Sequence, residues 1–133
     1  MAEIKSDSVK IEATASSIQS FLNDANNIEQ LMPEDKITKW QSDNNTCSFN
    51  IKGLAGIGMK REESSIANQV HFVSHGKNPF DFNLDINITE DGNSCSAQIV
   101  FDGNMNFMIM TIAKTPLTNL FNNMSETLVK KFS

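Results

Sequence analysis

His71 and His75 form a His-x-x-x-His pair, which binds a metal ion when both imidazoles lie on one face of a helix. Here Val70, Phe72 and Ser74 alternate with His71, Val73 and His75, so the segment reads as a strand. At about 3.3 Å per residue the two rings then stand roughly 13 Å apart, too far to share an ion. The alternation turns both outward; either becomes a polar pocket group only if its face looks inward. Asp81 and Asp85 repeat on the polar phase of the next segment. Paired carboxylates do acid–base work only in an enclosed site that perturbs their pKa, and these face away from the apolar row.

Cys47 and Cys95 fall on the apolar phases of their segments, as buried, inert thiols would. No Cys-x-x-Cys spacing points to zinc or redox chemistry, and no disulfide is expected. The stretch Gly53-Leu54-Ala55-Gly56-Ile57-Gly58 resembles a phosphate loop only in composition. A dinucleotide fingerprint needs a helix directly after its glycines, and strand-like sequence follows instead, so a turn or bulge is expected. No Ser/His/Asp or Cys/His constellation can be assembled. The expectation is no catalytic residue, no metal and no cofactor.

The elements that would position any site are legible from periodicity. Val9, Ile11 and Ala13 alternate with Ser8, Lys10 and Glu12 as a half-buried strand. Thr14, Ser16 and Ser17 offer helix caps for Ile18, Phe21 and Leu22. Asp24 interrupts that helix and can cap a second one carrying Ile28 and Leu31, which Pro33 ends. Everything from Ile37 to Phe101 reads as strand and turn. The clearest signal is Phe80, Phe82, Leu84, Ile86 and Ile88 against Asp81, Asn83, Asp85, Asn87 and Thr89, followed by an Asp91-Gly92 hairpin. The period then changes: Ile109, Ile112, Ala113, Leu117, Leu120, Phe121, Met124, Leu128 and Phe132 describe a long amphipathic helix. Pro116 lies inside it and predicts a kink or break near Ala113–Thr115. With Thr115 capping a fresh helix, Met105–Lys114 would be a separate mobile segment gating a cavity.

The chain has 133 residues, 39% hydrophobic and 20% charged, a composition suited to one globular domain, 1–133, with a real core. Its net charge of −5 gives no footprint for nucleic acid or anionic lipid. No apolar run approaches the ~20 residues of a membrane span, and the first residues lack a signal-peptide centre. The expectation is a cytoplasmic protein without integral membrane association, a monomer or weak homodimer.

The order of strand, two short helices, six meandering strands and a long terminal helix resembles the START-like, or SRPBCC, superfamily with its helix-grip fold. The resemblance spans the chain. It rests on Phe21-Leu22-x-Asp24-x-x-Asn27-Ile28-x-x-Leu31-x-Pro33, on the Phe-x-Ile-x-Gly-x-x-Gly stretch from Phe49 to Gly56, and on Met105-Asn106 leading into Lys114-Thr115-Pro116-Leu117. It is most similar to small bacterial members. The resemblance implies an α+β fold in which a curved seven-stranded antiparallel sheet grips the terminal helix, with a cavity between them.

That cavity would be lined by Phe49, Ile51, Phe72, Phe82, Leu84, Ile99 and Phe101 from the sheet. Met105, Phe107, Met108, Ile112 and Met124 would line it from the helix and its approach, methionine being adaptable to varied apolar guests. Simple core packing also explains each of these positions. The implied function is carriage or sensing of an apolar small molecule such as a lipid, quinone or polyketide. A cyclase or dehydratase would use the same cavity but needs inward polar groups, which these rows scarcely offer. A co-chaperone-like interaction module would instead have a filled core and an exposed apolar patch.

Overall fold

In the computed structural model, which describes residues 2–133, the first alternating segment forms two strands, β1 (Ala2–Lys5) and β2 (Val9–Ile11). Both pair antiparallel with the last strand, β8 (Ser94–Gly103). Between the pairs Lys5–Val100 and Val9–Ala97, Ser6, Asp7 and Ser8 oppose only Gln98 and Ile99. This bulge shifts the side-chain phase, so Ile4 and Ile11 both point into the core although they fall on opposite phases of an unbroken strand.

Two short helices follow, as their caps predict. Thr14 Oγ1 accepts the Ser17 amide at the start of α1 (Ala15–Leu22), and Asp24 Oδ1 accepts the Asn26 amide at the start of α2 (Ala25–Ile28). A 3₁₀ turn, Glu29–Leu31, completes this arm before Pro33. Ala15, Ile18, Leu22, Ala25, Ile28 and Leu31 are its buried contribution.

The meander comprises β3 (Ile37–Ser42), β4 (Thr46–Ile51), β5 (Gly56–Glu62), β6 (Gln69–Ser74) and β7 (Phe82–Asp91) before β8. The sheet is antiparallel and open, in the order β1-β8-β7-β6-β5-β4-β3, with β2 continuing the β1 edge along β8. In β7 the alternation is complete: Phe82, Leu84, Ile86 and Ile88 are buried. The hairpin to β8 turns through Gly92-Asn93, with Gly92 at φ 64°, a conformation open to glycine. The β3–β4 turn is tied by Asp43, whose carboxylate accepts the amides of Asn45 and Thr46 and the Thr46 hydroxyl. These bonds hold the Asp43 carboxyl below its ordinary pKa.

The glycine-rich stretch is a turn and the start of β5. Gly53 takes φ 84° between β4 and β5. At Gly58 a Cβ would come within 2.4 Å of the His75 carbonyl oxygen. The same backbone is clasped by Asn78, whose side chain accepts from the Gly58 amide and donates to the Gly58 carbonyl. Glycine is needed there for close approach of two backbones.

The terminal helix α3 (Phe107–Lys131) lies across the inner face over β1, β2 and β8 and against the 3₁₀ turn. Asn106 caps it, accepting the Ile109 amide at 2.9 Å, and Pro116 lies within one continuous helix. The expected break near Ala113–Thr115 is therefore corrected, and Met105–Lys114 is not a separate element. Pro116 sits on the flank of α3, and the Ile112 carbonyl that loses its donor belongs to an exposed turn where water can satisfy it.

Candidate functional site

The inner face is largely apolar because the strands from β4 to β8 present one phase of their alternation to it, whereas β3 is interrupted by a register shift and Lys39 at φ 56°. Phe72, Leu84, Phe101 and Ile4 stand in one cross-strand row, and Val70, Ile86 and Ile99 in the next. Phe49 faces Ile57 across β4 and β5 and carries the Trp40 ring stacked on it at 5.2 Å. Seven of the expected lining residues, Phe49, Ile51, Phe72, Phe82, Leu84, Ile99 and Phe101, belong to this buried face, and Met124 meets it from α3.

Phe107, Met108 and Ile112 do not. They are 88%, 73% and 59% exposed, against 1% for Met124. Ala113, Leu117, Phe121, Met124 and Leu128 define the inward direction of α3. At about 100° per residue, Met108 and Ile112 point about 180° and 140° away from Leu117, and Phe107 about 80°. Their place as lining residues is corrected accordingly.

Much of the space between sheet and helix is occupied. Phe82 stacks on Phe101 at 4.9 Å, and Phe101 meets Phe121 of α3 at 5.4 Å. At the end of β8, Gly103 faces inward under Phe80, Phe101 and Met105. A Cβ there would come within 3.2, 2.9 and 3.0 Å of their side-chain atoms. Met105 is partly buried and helps to close this end of the grip.

The grip is open where α3 passes the end of β4. A recess of about 210 Å³ lies there, walled by Pro33, Ile51, Pro116 and Leu120, with Lys36, Lys52, Thr115, Asn119 and Asn123 at its polar parts. Among the expected residues only Ile51 contributes to it. The others became neighbours through pairing: Ile37 stands opposite Ile51, and the Lys52 amide donates to the Lys36 carbonyl at 2.8 Å. Thr115, Asn119 and Asn123, spaced one turn apart along the edge of the apolar stripe, were the one signal of this wall in the sequence. A separate hollow of about 620 Å³ on the outer side of β3–β5 is lined largely by polar residues, including Lys39, Gln41, Ser48, Asn50 and His75.

The titratable candidates lie outside the grip. His71 points outward from β6 and pairs through Nδ1 with Asp85 of β7, its cross-strand neighbour. His75 and Asp81 are exposed in the turns on either side of the β6–β7 connection. Cys47 and Cys95 are buried free thiols on the inner face. Burial, with a smaller effect from the charge of Asp43, pushes Cys47 up to about 12, and burial also raises Cys95. Among the described residues no cluster of His, Cys, Asp and Glu could hold a metal, and no helix is long and apolar enough to cross a membrane.

No family model and no curated protein matches the chain. Solved structures do. A START superfamily protein from Mycobacterium smegmatis superposes with a TM-score of 0.74 at 13% identity, over 98% of this chain and 96% of its own. The XoxI protein of Bacillus cereus gives 0.74 at 11%, over 99% and 96%. A point mutant of norcoclaurine synthase from Thalictrum flavum, in complex with a transition state analogue, gives 0.71 at 11%, over 99% and 96%. At these identities the likeness is one of fold, and that fold is the START-like helix grip.

Proposed function

We propose that this START-like grip binds an apolar small molecule between α3 and the sheet, as a carrier or sensor. The observation that carries the proposal is the recess at the junction of α3 with β4, where Pro33, Ile51, Pro116 and Leu120 form an apolar wall open to solvent. Its volume is below the ~300–1,000 Å³ of ordinary ligand pockets. A larger guest would have to move neighbouring side chains, and Met124, one turn beyond Leu120 on α3, is an adaptable one. Few polar groups reach the inner face: Ser6 and Ser125, which bond to each other, Ser74, whose hydroxyl accepts the Phe82 amide, and Arg61, which stands opposite Phe72 with a buried, unpartnered Nε.

Thermal denaturation against long-chain fatty acids, flavonoid-like aromatics and quinones tests the proposal, because a molecule that binds only the folded chain raises Tm. A rise with at least one class, and a co-purifying molecule in native mass spectrometry, is the expected result. A panel without any shift at saturation would end it.

A second function, an interaction module, draws on the exposed Phe107, Met108 and Ile112. It expects no ligand-dependent shift in that panel and an unchanged Tm when the three are made polar.

A further inference from the structure

Resting on the proposed small-molecule site, we infer that its ligand carries an anionic head, and that Lys36 and Lys52 hold it. The Lys52 amide bonds to the Lys36 carbonyl, so the two lysines are fixed as neighbours, and both contribute to the wall of the same recess. Neither forms an ion pair with a carboxylate of the described residues. Glu34 and Asp35, the nearest carboxylates along the chain, are exposed and bond to neither. Two lysine side chains at one recess without a counter-charge repel each other, and an anion bound between them offsets that repulsion.

The opposite wall suits the same ligand. Asn119 and Asn123 present side-chain amides that make no hydrogen bond within the described residues, and Thr115 lies one turn before them. Amide N–H groups and a hydroxyl can donate to a carboxylate held at the lysines. Below them Ile51, Leu120, Pro33 and Pro116 offer only apolar contact. A recess of about 210 Å³ is smaller than an ordinary ligand pocket and suits a small guest. The class of ligand that fits is therefore a monocarboxylate with a compact apolar body, head outward at the lysines and body against Ile51 and Leu120.

Octanoate, 1-octanol and inorganic phosphate are the probes, each titrated into the 15N-labelled full chain and into K36Q/K52Q. Both lysines are exposed, so the double variant should keep the wild-type Tm. Octanoate should shift the amides of Ile51, Lys52 and Leu120 saturably, bind at least tenfold more tightly than octanol, and lose about tenfold in affinity in the variant. Octanol should bind both forms equally, and phosphate should bind neither with comparable affinity. Equal affinity for octanol and octanoate, an unchanged octanoate affinity in K36Q/K52Q, or phosphate binding as tightly as octanoate would overturn the anionic assignment while leaving an apolar site standing. Absence of binding by both octyl probes also overturns it, and the thermal panel above then decides separately whether the grip binds any apolar molecule.

Discussion

Ser125 of α3 donates its hydroxyl hydrogen to Ser6 Oγ at 3.2 Å, and the same Ser6 oxygen accepts the amide of Ile99 at 2.9 Å. Both serines are buried, and they join helix to sheet at the bulge between β1 and β2. The two are not equivalent. Ser6→Ala leaves the Ile99 amide without that partner and should destabilise the fold by about 1–3 kcal/mol. Ser125→Ala removes one bond and leaves Ile99 satisfied, so about 0.5–1.5 kcal/mol is expected. Urea unfolding of both single variants and the double variant checks the order, and the double should fall short of the sum because the pair interacts.

Substitutions along α3 should separate its faces. Phe121 is buried against Phe101, and Phe121→Ala should lose about 3–5 kcal/mol. Phe107 and Met108 are exposed, and replacing both by serine should change stability by no more than about 1 kcal/mol. Chemical denaturation gives both values. A loss at Phe107 and Met108 comparable to that at Phe121 would contradict the outward orientation of the first helical turns.

Protection along α3 should be graded although the helix is continuous. The turns before Pro116 bury Ala113 alone, whereas Leu117, Leu120, Phe121, Met124 and Leu128 anchor those after it. Amides of Ile109–Thr115 should exchange faster than those of Thr118–Val129, since weakly packed turns open locally. A ligand that stabilises the protein should slow them if this end of α3 admits it. Uniform protection, indifferent to such a ligand, would remove the gate and leave Pro116 as a structural feature.

The thiols should be silent in the folded state. Cys47 is buried and its pKa is pushed up to about 12 from an ordinary 9.0, chiefly by desolvation. The folded chain keeps this proton while the unfolded chain releases it. The stabilisation is therefore complete below pH about 9 and is lost as pH rises toward about 12, roughly tenfold in the folding constant per pH unit. Cys47→Ala should lack this contribution to the alkaline slope. In native buffer a thiol reagent should label neither cysteine, and in denaturant both.

Gly58→Ala should be the more damaging of two glycine replacements. Its Cβ would meet the His75 carbonyl at 2.4 Å, so the clasp by the His75–Asn78 turn must shift. At Gly53 the space is open and the strain is that of a positive φ, about 1–2 kcal/mol. Melting temperatures of the two alanine variants should fall in that order.

Local patterns carried the elements of this fold and the membership of its inner face. The alternation of β7, the Thr14 and Asp24 caps and the stripe from Ala113 to Leu128 are properties of neighbouring residues, which period and capping chemistry expose directly. Whether Pro116 breaks a helix depends on what supports the flanking turns and on water reaching the Ile112 carbonyl, and neither is local. Which part of the apolar stripe is covered depends on where α3 meets the sheet. Phe107, Met108 and Ile112 therefore read as lining residues in one dimension and lie outside the core in three. The recess is a product of tertiary structure: Pro33, Lys36, Lys52 and Asn119 share it because β3 pairs with β4 and α3 crosses their end. Sequence order determined what each element buries, and the meeting of distant elements decided where the grip stays open.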